Sequence, residues 1–303
     1  MRFFPRKNRR KNALVVINPV AGKMRSQKAL FQIVDYLCRY EYMLTVQTTR
    51  GKMDAHDLAV EFGEGKDLVV CAGGDGTLNE VISGVMELCE RPSIAYIPTG
   101  TTNDFASTLQ IPKDIKKALK KIIVGSPTPL DIGRFGTERY FSYVASFGIF
   151  TEASYRAPQS AKNLLGHFAY VLEGIREITN LKTQHAIIKC DDTEIEGDFI
   201  FAAISNSRSI GGIMKLSDEK ISLSDGMFEV LLVRAPQNAA ELGEILNAVT
   251  TQKFDGNMTY MLRGQKICVH TSEAISWSLD GERADTDGDV AIECLHHAIK
   301  VML

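Results

Sequence analysis

Asp67-Leu-Val-Val-Cys-Ala-Gly-Gly-Asp-Gly-Thr77 is the stretch on which the fold turns. Its first half, to Ala72, is a short apolar run of the kind a buried strand makes. Its second half, Gly73-Gly-Asp-Gly-Thr77, leads into Leu78-Asn-Glu-Val-Ile-Ser-Gly-Val-Met-Glu-Leu88, whose apolar residues recur at helical spacing. A glycine-rich turn therefore joins a strand to a helix N-terminus. Free backbone amides point outward there, and the helix dipole favours negative charge. Glycine lets the main chain come close to a phosphate. Asp75 is the odd member. A carboxylate beside phosphates repels them unless a cation lies between, so the turn reads as a site for a nucleotide with magnesium. Taken alone, the turn is equally an ordinary strand-to-helix connection, because three glycines make a weak motif.

Two more strand ends share this character. Ser93-Ile-Ala-Tyr-Ile97 runs into Pro98-Thr-Gly-Thr-Thr-Asn-Asp-Phe-Ala106, and Ala13-Leu-Val-Val-Ile17 runs into Asn18-Pro-Val-Ala-Gly-Lys23. Three such ends put three polar loops on the carboxyl edge of a parallel sheet, where open α/β folds bind ligands. Around them the pattern alternates: an amphipathic helix over 26–40, a strand over 42–49, a helix over 54–62, strand–helix units at 67–88 and 93–109, and a basic amphipathic helix over 115–124. This predicts a doubly wound α/β domain at the N-terminus.

The texture changes at Pro127-Thr-Pro-Leu-Asp131. Strands are expected at 130–135, 139–144, 185–190, 194–206, 227–233, 266–270 and 277–279, with a helix over 165–179. Turn signals such as Phe135-Gly-Thr-Glu138, Asp191-Asp-Thr and Asp255-Gly-Asn separate them. The expectation is all-β: a C-terminal β-sandwich or open barrel with one or two appended helices.

Composition narrows the class. The 303 residues carry a net charge of −2 and are 45% hydrophobic, which suits globular domains rather than a disordered chain. The first twelve residues hold Arg2, Arg6, Lys7, Arg9, Arg10 and Lys11 and no acid; without them 29 basic residues face 37 acidic ones, about −8. Nucleic acid is therefore not an expected partner. The basic start does not lead into the apolar segment of a secretory signal, and no uncharged apolar run reaches the ~18 residues of a membrane span. Six scattered cysteines without a Cys-x-x-Cys pair read as reduced thiols of a cytoplasmic protein. His296 and His297 are adjacent, so on a strand they would face opposite sides, against a shared metal role.

Taken together, Asn18-Pro19…Gly22-Lys23, Gly73-Gly-Asp-Gly-Thr77, Pro98-Thr-Gly-Thr-Thr-Asn-Asp-Phe105, Ser224-Asp-Gly-Met-Phe-Glu-Val230 and Leu279-Asp-Gly-Glu282 resemble, in order and over nearly the whole chain, the diacylglycerol kinase catalytic family and its soluble bacterial lipid kinases. The resemblance implies a nucleotide-binding domain at 1–130, completed by about 292–303, and a lipid-acceptor β-sandwich at 131–291. It implies that Asn18, Gly22 and Thr49 line ATP, that Gly73, Gly74, Asp75, Gly76, Thr77 and Thr101 surround its phosphates, and that Asn79, Glu80 and Asn103 belong to the same site. Asp75 would reach a catalytic Mg2+ through water. Asp280 would take the proton of the lipid hydroxyl, and Glu282 would hold a water in the magnesium network, which Asp131 completes. A structural Mg2+ would sit on the Asp225 carboxylate and the carbonyls of Ser222 and Met227.

Blander readings stay open at several of these positions. Thr49 and Asn79 suit capping and turn chemistry, Lys23 suits a solvated turn, and Ser222–Met227 suits a tight turn. Asp280-Gly281 suits a β-hairpin. Phe147-Gly-Ile-Phe150 and Ser207-Arg-Ser-Ile-Gly-Gly-Ile-Met214 could border a lipid groove or be core and hairpin. The expected reaction is ATP-dependent phosphorylation of diacylglycerol to phosphatidate. The alternatives are another lipid alcohol (a sphingoid base, phosphatidylglycerol, undecaprenol), an NAD kinase, or a silent nucleotide- or lipid-binding regulator. The lipid is met at the membrane surface. Met1–Lys11, with Phe3 and Phe4 among its cations, is a candidate peripheral contact. The resemblance leaves room for a homodimer.

Overall fold

The computed structural model describes residues 10–101, 103–149, 182–206, 209–210, 214–215, 222–254 and 256–303. The helix expected over 165–179, most of the basic N-terminal segment, Thr102, Phe150, Asp255 and most of the 207–214 loop lie outside them. The chain divides into two compact units, Met1–Pro129 with Ile299–Leu303, and Leu130–Ala298.

In the first unit, β1 (Lys11–Ile17), β2 (Tyr42–Thr48), β3 (Leu68–Gly73) and β4 (Ser93–Pro98) form a parallel sheet in the order β4-β3-β1-β2. The end of the chain adds to it beside β4, Val301 opposite Ile94. β3 is buried along its whole length, as expected of a strand covered on both faces. On one face Val15, Val70, Ala95 and Ile97 pack with Ala29, Ile33 and Leu37 of α1 (Ala21–Arg39). Leu119 and Ile122 join the same core from a later helix. By alternation Leu14, Val16, Val69 and Cys71 point to the other face. There α2 (Asp54–Gly63) and α3 (Asp75–Met86) pack on each other and reach β1 and β3. The short α4 (Asp104–Thr108) and then α5 (Ile115–Val124), which carries Leu119 and Ile122, complete the unit. Strands β1 and β2 run to one side and β3 and β4 to the other. The carboxyl ends of β1 and β3 therefore mark the point where the strand order reverses. α1 begins before residue 26, so Gly22 and Lys23 occupy its first turn rather than a loop.

The second unit is antiparallel. It comprises β5 (Pro127–Phe135), which enters it from the first unit, β6 (Arg139–Phe141), β7 (Val144–Gly148), β8 (Gln184–Cys190), β9 (Thr193–Ser205), the short pair β10 (Ser209–Ile210) and β11 (Met214–Lys215), β12 (Phe228–Arg234), α6 (Ala239–Thr251), β13 (Thr259–Gly264), β14 (Lys266–His270), β15 (Ile275–Leu279), β16 (Glu282–Thr286) and β17 (Val290–Met302). β9 is its spine. The first part of β9 pairs with β8, and the later part lies between β7 and β12. Phe199, Ala202 and Ile204 face one core and Ile200, Phe201 and Ala203 a second, which α6 closes with Ile245, Ala248 and Val249. Burial on both faces explains why Phe199–Ile204 shows no polar alternation. Trp277 of β15 meets Phe135 and Phe147 edge-on at 5.1 and 4.9 Å. Such aromatic pairs contribute about 0.5–1.5 kcal/mol each beyond area burial, and they fix β15 in the core. The architecture is that of an α/β domain with a C-terminal β-sandwich.

Candidate active site

In the first unit the candidate residues gather at the N-terminus of α3. Its leading amides have no intrahelical carbonyl to bond. Gly74 is the N-cap, Asp75 and Gly76 open the helix, and Thr77 is buried beneath them. Asn18, at the end of β1, donates from Nδ2 to Thr77 Oγ1 at 3.0 Å and accepts the Val20 amide on Oδ1. The neighbouring loop is drawn in by Gly73, whose carbonyl accepts the amides of Thr99 and Gly100 at 2.9 and 3.0 Å. The approach is so close that a Cβ on Gly100 would lie 2.5 Å from Gly74 Cα. Gly22, at φ +53°, is equally confined: a Cβ there would lie 1.8 Å from Thr99 O. Thr49 is buried at the end of β2 and donates its amide to Ile17 O. Thr101 is exposed on the loop, and Asn79 follows, half-buried, on α3. The result is a set of loops brought together by close glycine contacts beside the free amides of the α3 N-terminus, which suits a polyphosphate.

Two residues expected at the nucleotide also bond within the protein. Glu80 turns to α2, its carboxylate accepting the amides of Met53 and Ala55 at 2.9 and 3.2 Å. It caps a helix that lacks a side-chain cap of its own. Asn103, 1% exposed and at φ +56°, accepts from Tyr96 Oη and donates to Gly100 O at 2.9 Å. It shapes the loop from within. Asp75 faces α4, accepting the amides of Asp104 and Phe105 at 3.1 and 3.2 Å. Burial lifts its carboxyl above the ordinary value, and those amides pull it part of the way back.

In the second unit the candidate residues fall in two places, the first at the Leu279–Glu282 hairpin. Asp280 and Gly281 both have positive φ, 51° and 90°, and form the two-residue turn between Leu279 and Glu282. The hairpin reading is therefore correct, but the Asp280 side chain does more than turn the chain. It is 7% exposed and accepts Ser142 N, Ser142 Oγ, Tyr143 N and Val144 N at 2.6, 2.8, 3.0 and 3.0 Å. Ser142 and Tyr143, whose amides turn to it, lie between β6 and β7, so the single strand expected over 139–144 ends at Phe141 and a new one begins at Val144. Burial pushes the Asp280 carboxyl up while these four donors hold it down. Both oxygens of the Asp280 carboxylate are thus engaged by the Ser142–Val144 segment, a structural role beside the one the resemblance implies. Glu282, half-buried at the same turn, is the other carboxylate of the hairpin.

The second place in this unit is the turn Ser222–Met227. Asp225 pairs with Arg263 at 2.5 Å and accepts the Met227 amide at 3.2 Å. Asp131 is buried and belongs to this turn: it accepts Gly226 N at 2.6 Å, His297 N at 2.7 Å and His296 Nδ1 at 3.1 Å, while its own amide donates to Leu223 O. The adjacent histidines do not alternate as expected. His297 is left-handed, at φ 52°, so both rings fall on one side and stack with centroids 3.6 Å apart.

Sequence reasoning missed Tyr96. The signal for Tyr96 was a phenol inside an apolar strand, which needs a buried partner for its hydroxyl. No sequence signal marked the Asp104 amide as a partner for Asp75.

Residues 12–135 match the diacylglycerol kinase catalytic domain, and residues 144–303 match the YegS C-terminal NAD kinase beta sandwich-like domain. The diacylglycerol kinase of Bacillus subtilis is 33% identical over 274 residues, 90% of each chain. That of Staphylococcus epidermidis is 36% identical over 238 residues, covering 78% of this chain and 74% of its own. A crystal structure of a diacylglycerol kinase from Bacillus anthracis str. Sterne shares the fold, with a TM-score of 0.72 at 24% identity over 97% of this chain and 96% of that one. A second crystal structure from the same organism superposes with a TM-score of 0.79, also at 24% identity, over the same 97% and 96%.

Proposed function

The chain belongs to the diacylglycerol kinase catalytic family, and from that premise we propose that it transfers the terminal phosphoryl group of ATP to the hydroxyl of diacylglycerol, giving phosphatidate. The observation that carries this reading is the amide-lined N-terminus of α3, with Gly74 and Gly100 in close approach and the Asp75 carboxylate in the same turn.

ATP supplies the phosphoryl group, and Mg2+ offsets its developing charge. The residues present fit both. Gly22, Gly74 and Gly100 let the loops after β1, β3 and β4 close on one another, and Asp75 is the carboxylate at the α3 N-terminus. The Asn18–Thr77 hydrogen bond fixes one wall and the Asn103 network the other. Asp280 acts as a positioning residue that locks the hairpin, and Glu282 takes the hydroxyl proton. At the turn, the Asp225 carboxylate and the Ser222 and Met227 carbonyls are an oxygen-only set of the kind magnesium prefers.

Among the described residues no helix is long and apolar enough to cross a membrane. We place the enzyme in the cytoplasm, meeting its lipid at the membrane surface with the basic N-terminal segment as a reversible contact.

The test is ADP release from ATP with a panel of acceptors: diacylglycerol, a sphingoid base, phosphatidylglycerol, undecaprenol and NAD. Diacylglycerol should give the highest kcat/KM. Preference for another lipid would move the assignment within lipid kinases. Turnover of NAD alone, which the NAD kinase-like description of the second domain makes worth including, would overturn it.

A further inference from the structure

We propose that Asp131, His296 and His297 form a binding site for a transition-metal ion of the zinc, cobalt or nickel class, distinct in chemistry from any magnesium bound at the Ser222–Met227 turn. Among the described residues this is the one cluster of three or more His, Cys, Asp or Glu side chains whose ligand atoms all lie within 4.8 Å of one another.

The backbone creates it. On a regular strand, adjacent side chains point to opposite faces. The left-handed conformation of His297 cancels that alternation and brings both imidazoles to the side of Asp131. Asp131 Oδ1 and His296 Nδ1 are 3.1 Å apart. Two ligands on a tetrahedral ion with bonds of about 2.0–2.1 Å stand roughly 3.3 Å apart, so this pair is already at coordination spacing. An ion held by both rings would open their stack from 3.6 Å to roughly 5 Å, a change that the exposed His297 can follow.

The donor set decides the metal class. Two imidazoles and one carboxylate, with open positions for water, suit zinc and its neighbours, whereas magnesium takes oxygen ligands. The ligands are oriented from outside, as metal ligands commonly are. Gly226 N and His297 N hold the Asp131 carboxylate, Asn206 Nδ2 donates to its carbonyl, and Ser224 O lies 3.2 Å from His297 Nε2. Access is one-sided: Asp131 is 1% exposed, while the His296 side chain is 45% exposed.

Arg263 pairs with Asp225 and Glu229, and Arg134 with Glu293. Among the described residues no lysine or arginine pairs with Asp131, whose basic partner is His296. A cation there would balance a buried charge and tie β5, the Ser222–Met227 turn and β17 together within the second unit.

The experiment uses the full chain after chelator treatment. Zinc is titrated by calorimetry and cobalt by visible absorption, each in millimolar magnesium, and thermal unfolding is followed with and without zinc. The site predicts about one equivalent of either ion, cobalt absorption of a nitrogen-ligated site, no displacement by magnesium, and a zinc-dependent rise in Tm. His296→Ala and His297→Ala should each weaken binding by about 100-fold or more and remove the Tm rise. His185→Ala, whose ring pairs with Asp198 and Glu196, should change neither. If His296→Ala fails to fold, the exposed His297→Gln carries the test. No binding by the wild type, or unchanged binding by the folded His297 variants, overturns the proposal.

Discussion

Asp280 and Ser142 share two hydrogen bonds across the β-sandwich, from the Ser142 amide at 2.6 Å and its hydroxyl at 2.8 Å to the same carboxylate oxygen. With Tyr143 and Val144 on the other oxygen, the carboxylate is the anchor that keeps the Asp280-Gly281 hairpin against the strand break between β6 and β7. Such an anchor fixes where Glu282 stands, and this is why the two acids of one short motif are given different work.

The two should separate in mutants. Asp280→Ala leaves four buried donors without an acceptor, so it should cost about 3 kcal/mol or more in urea unfolding and lower kcat through a displaced hairpin. Glu282→Gln should change stability by less than about 0.5 kcal/mol yet lower kcat by about 10²–10⁴-fold. A stable, inactive Asp280→Ala beside an active Glu282→Gln would return the base role to Asp280.

Gly100→Ala should act on nucleotide binding before it acts on the fold. A Cβ at 2.5 Å from Gly74 Cα must push the loop off the α3 N-terminus. We expect about tenfold or greater loss of ATP affinity by calorimetry, with acceptor KM unchanged. Wild-type affinity would mean that this approach plays no part in the cradle.

Asp75→Ala should abolish turnover, by about 10²-fold or more, while the protein stays folded. It removes both the carboxylate of the cradle and the acceptor for the Asp104 and Phe105 amides. The check is the dependence of the residual rate on magnesium concentration, which should be shifted; an unchanged profile would leave Asp75 only its capping role.

His56 gives a pH signature away from the site. Burial lowers its pKa, but the hydrogen bonds and charges of Asp57 and Glu87 outweigh that and raise it above the ordinary 6.5. The protonated ring is therefore favoured in the folded protein, and its stabilisation is full below pH 6.5 and is lost as pH rises through the raised value. Wild-type stability should fall over that window relative to His56→Gln. Parallel pH profiles for the two proteins would contradict it.

The α/β domain was legible because each strand end carries its own glycine-bearing turn and each helix its apolar stripe. α6 was legible too and was passed over: Asn238 accepts the Glu241 amide and Glu241 reaches back to Gln237 N, a capping box written as Asn-x-x-Glu before Leu242, Ile245, Leu246 and Val249. The break between β6 and β7 could not be read locally, since it depends on a carboxylate 138 residues away. The left-handed turn at His297 has no glycine or asparagine to announce it. The bonds that Glu80 and Asn103 make to the protein's own backbone could not be read in advance, because capping and ligand binding ask for the same polar groups.

The central claim is phosphoryl transfer to a lipid hydroxyl, and its most direct measurement follows the transferred group. Purified protein is incubated with γ-labelled ATP, magnesium and diacylglycerol in mixed micelles, and the organic phase is separated and its product identified by mass. The account predicts label in phosphatidate, lost when diacylglycerol or magnesium is omitted and in Glu282→Gln. Label that stays in the aqueous phase as inorganic phosphate or NADP, with none in any lipid, would contradict it.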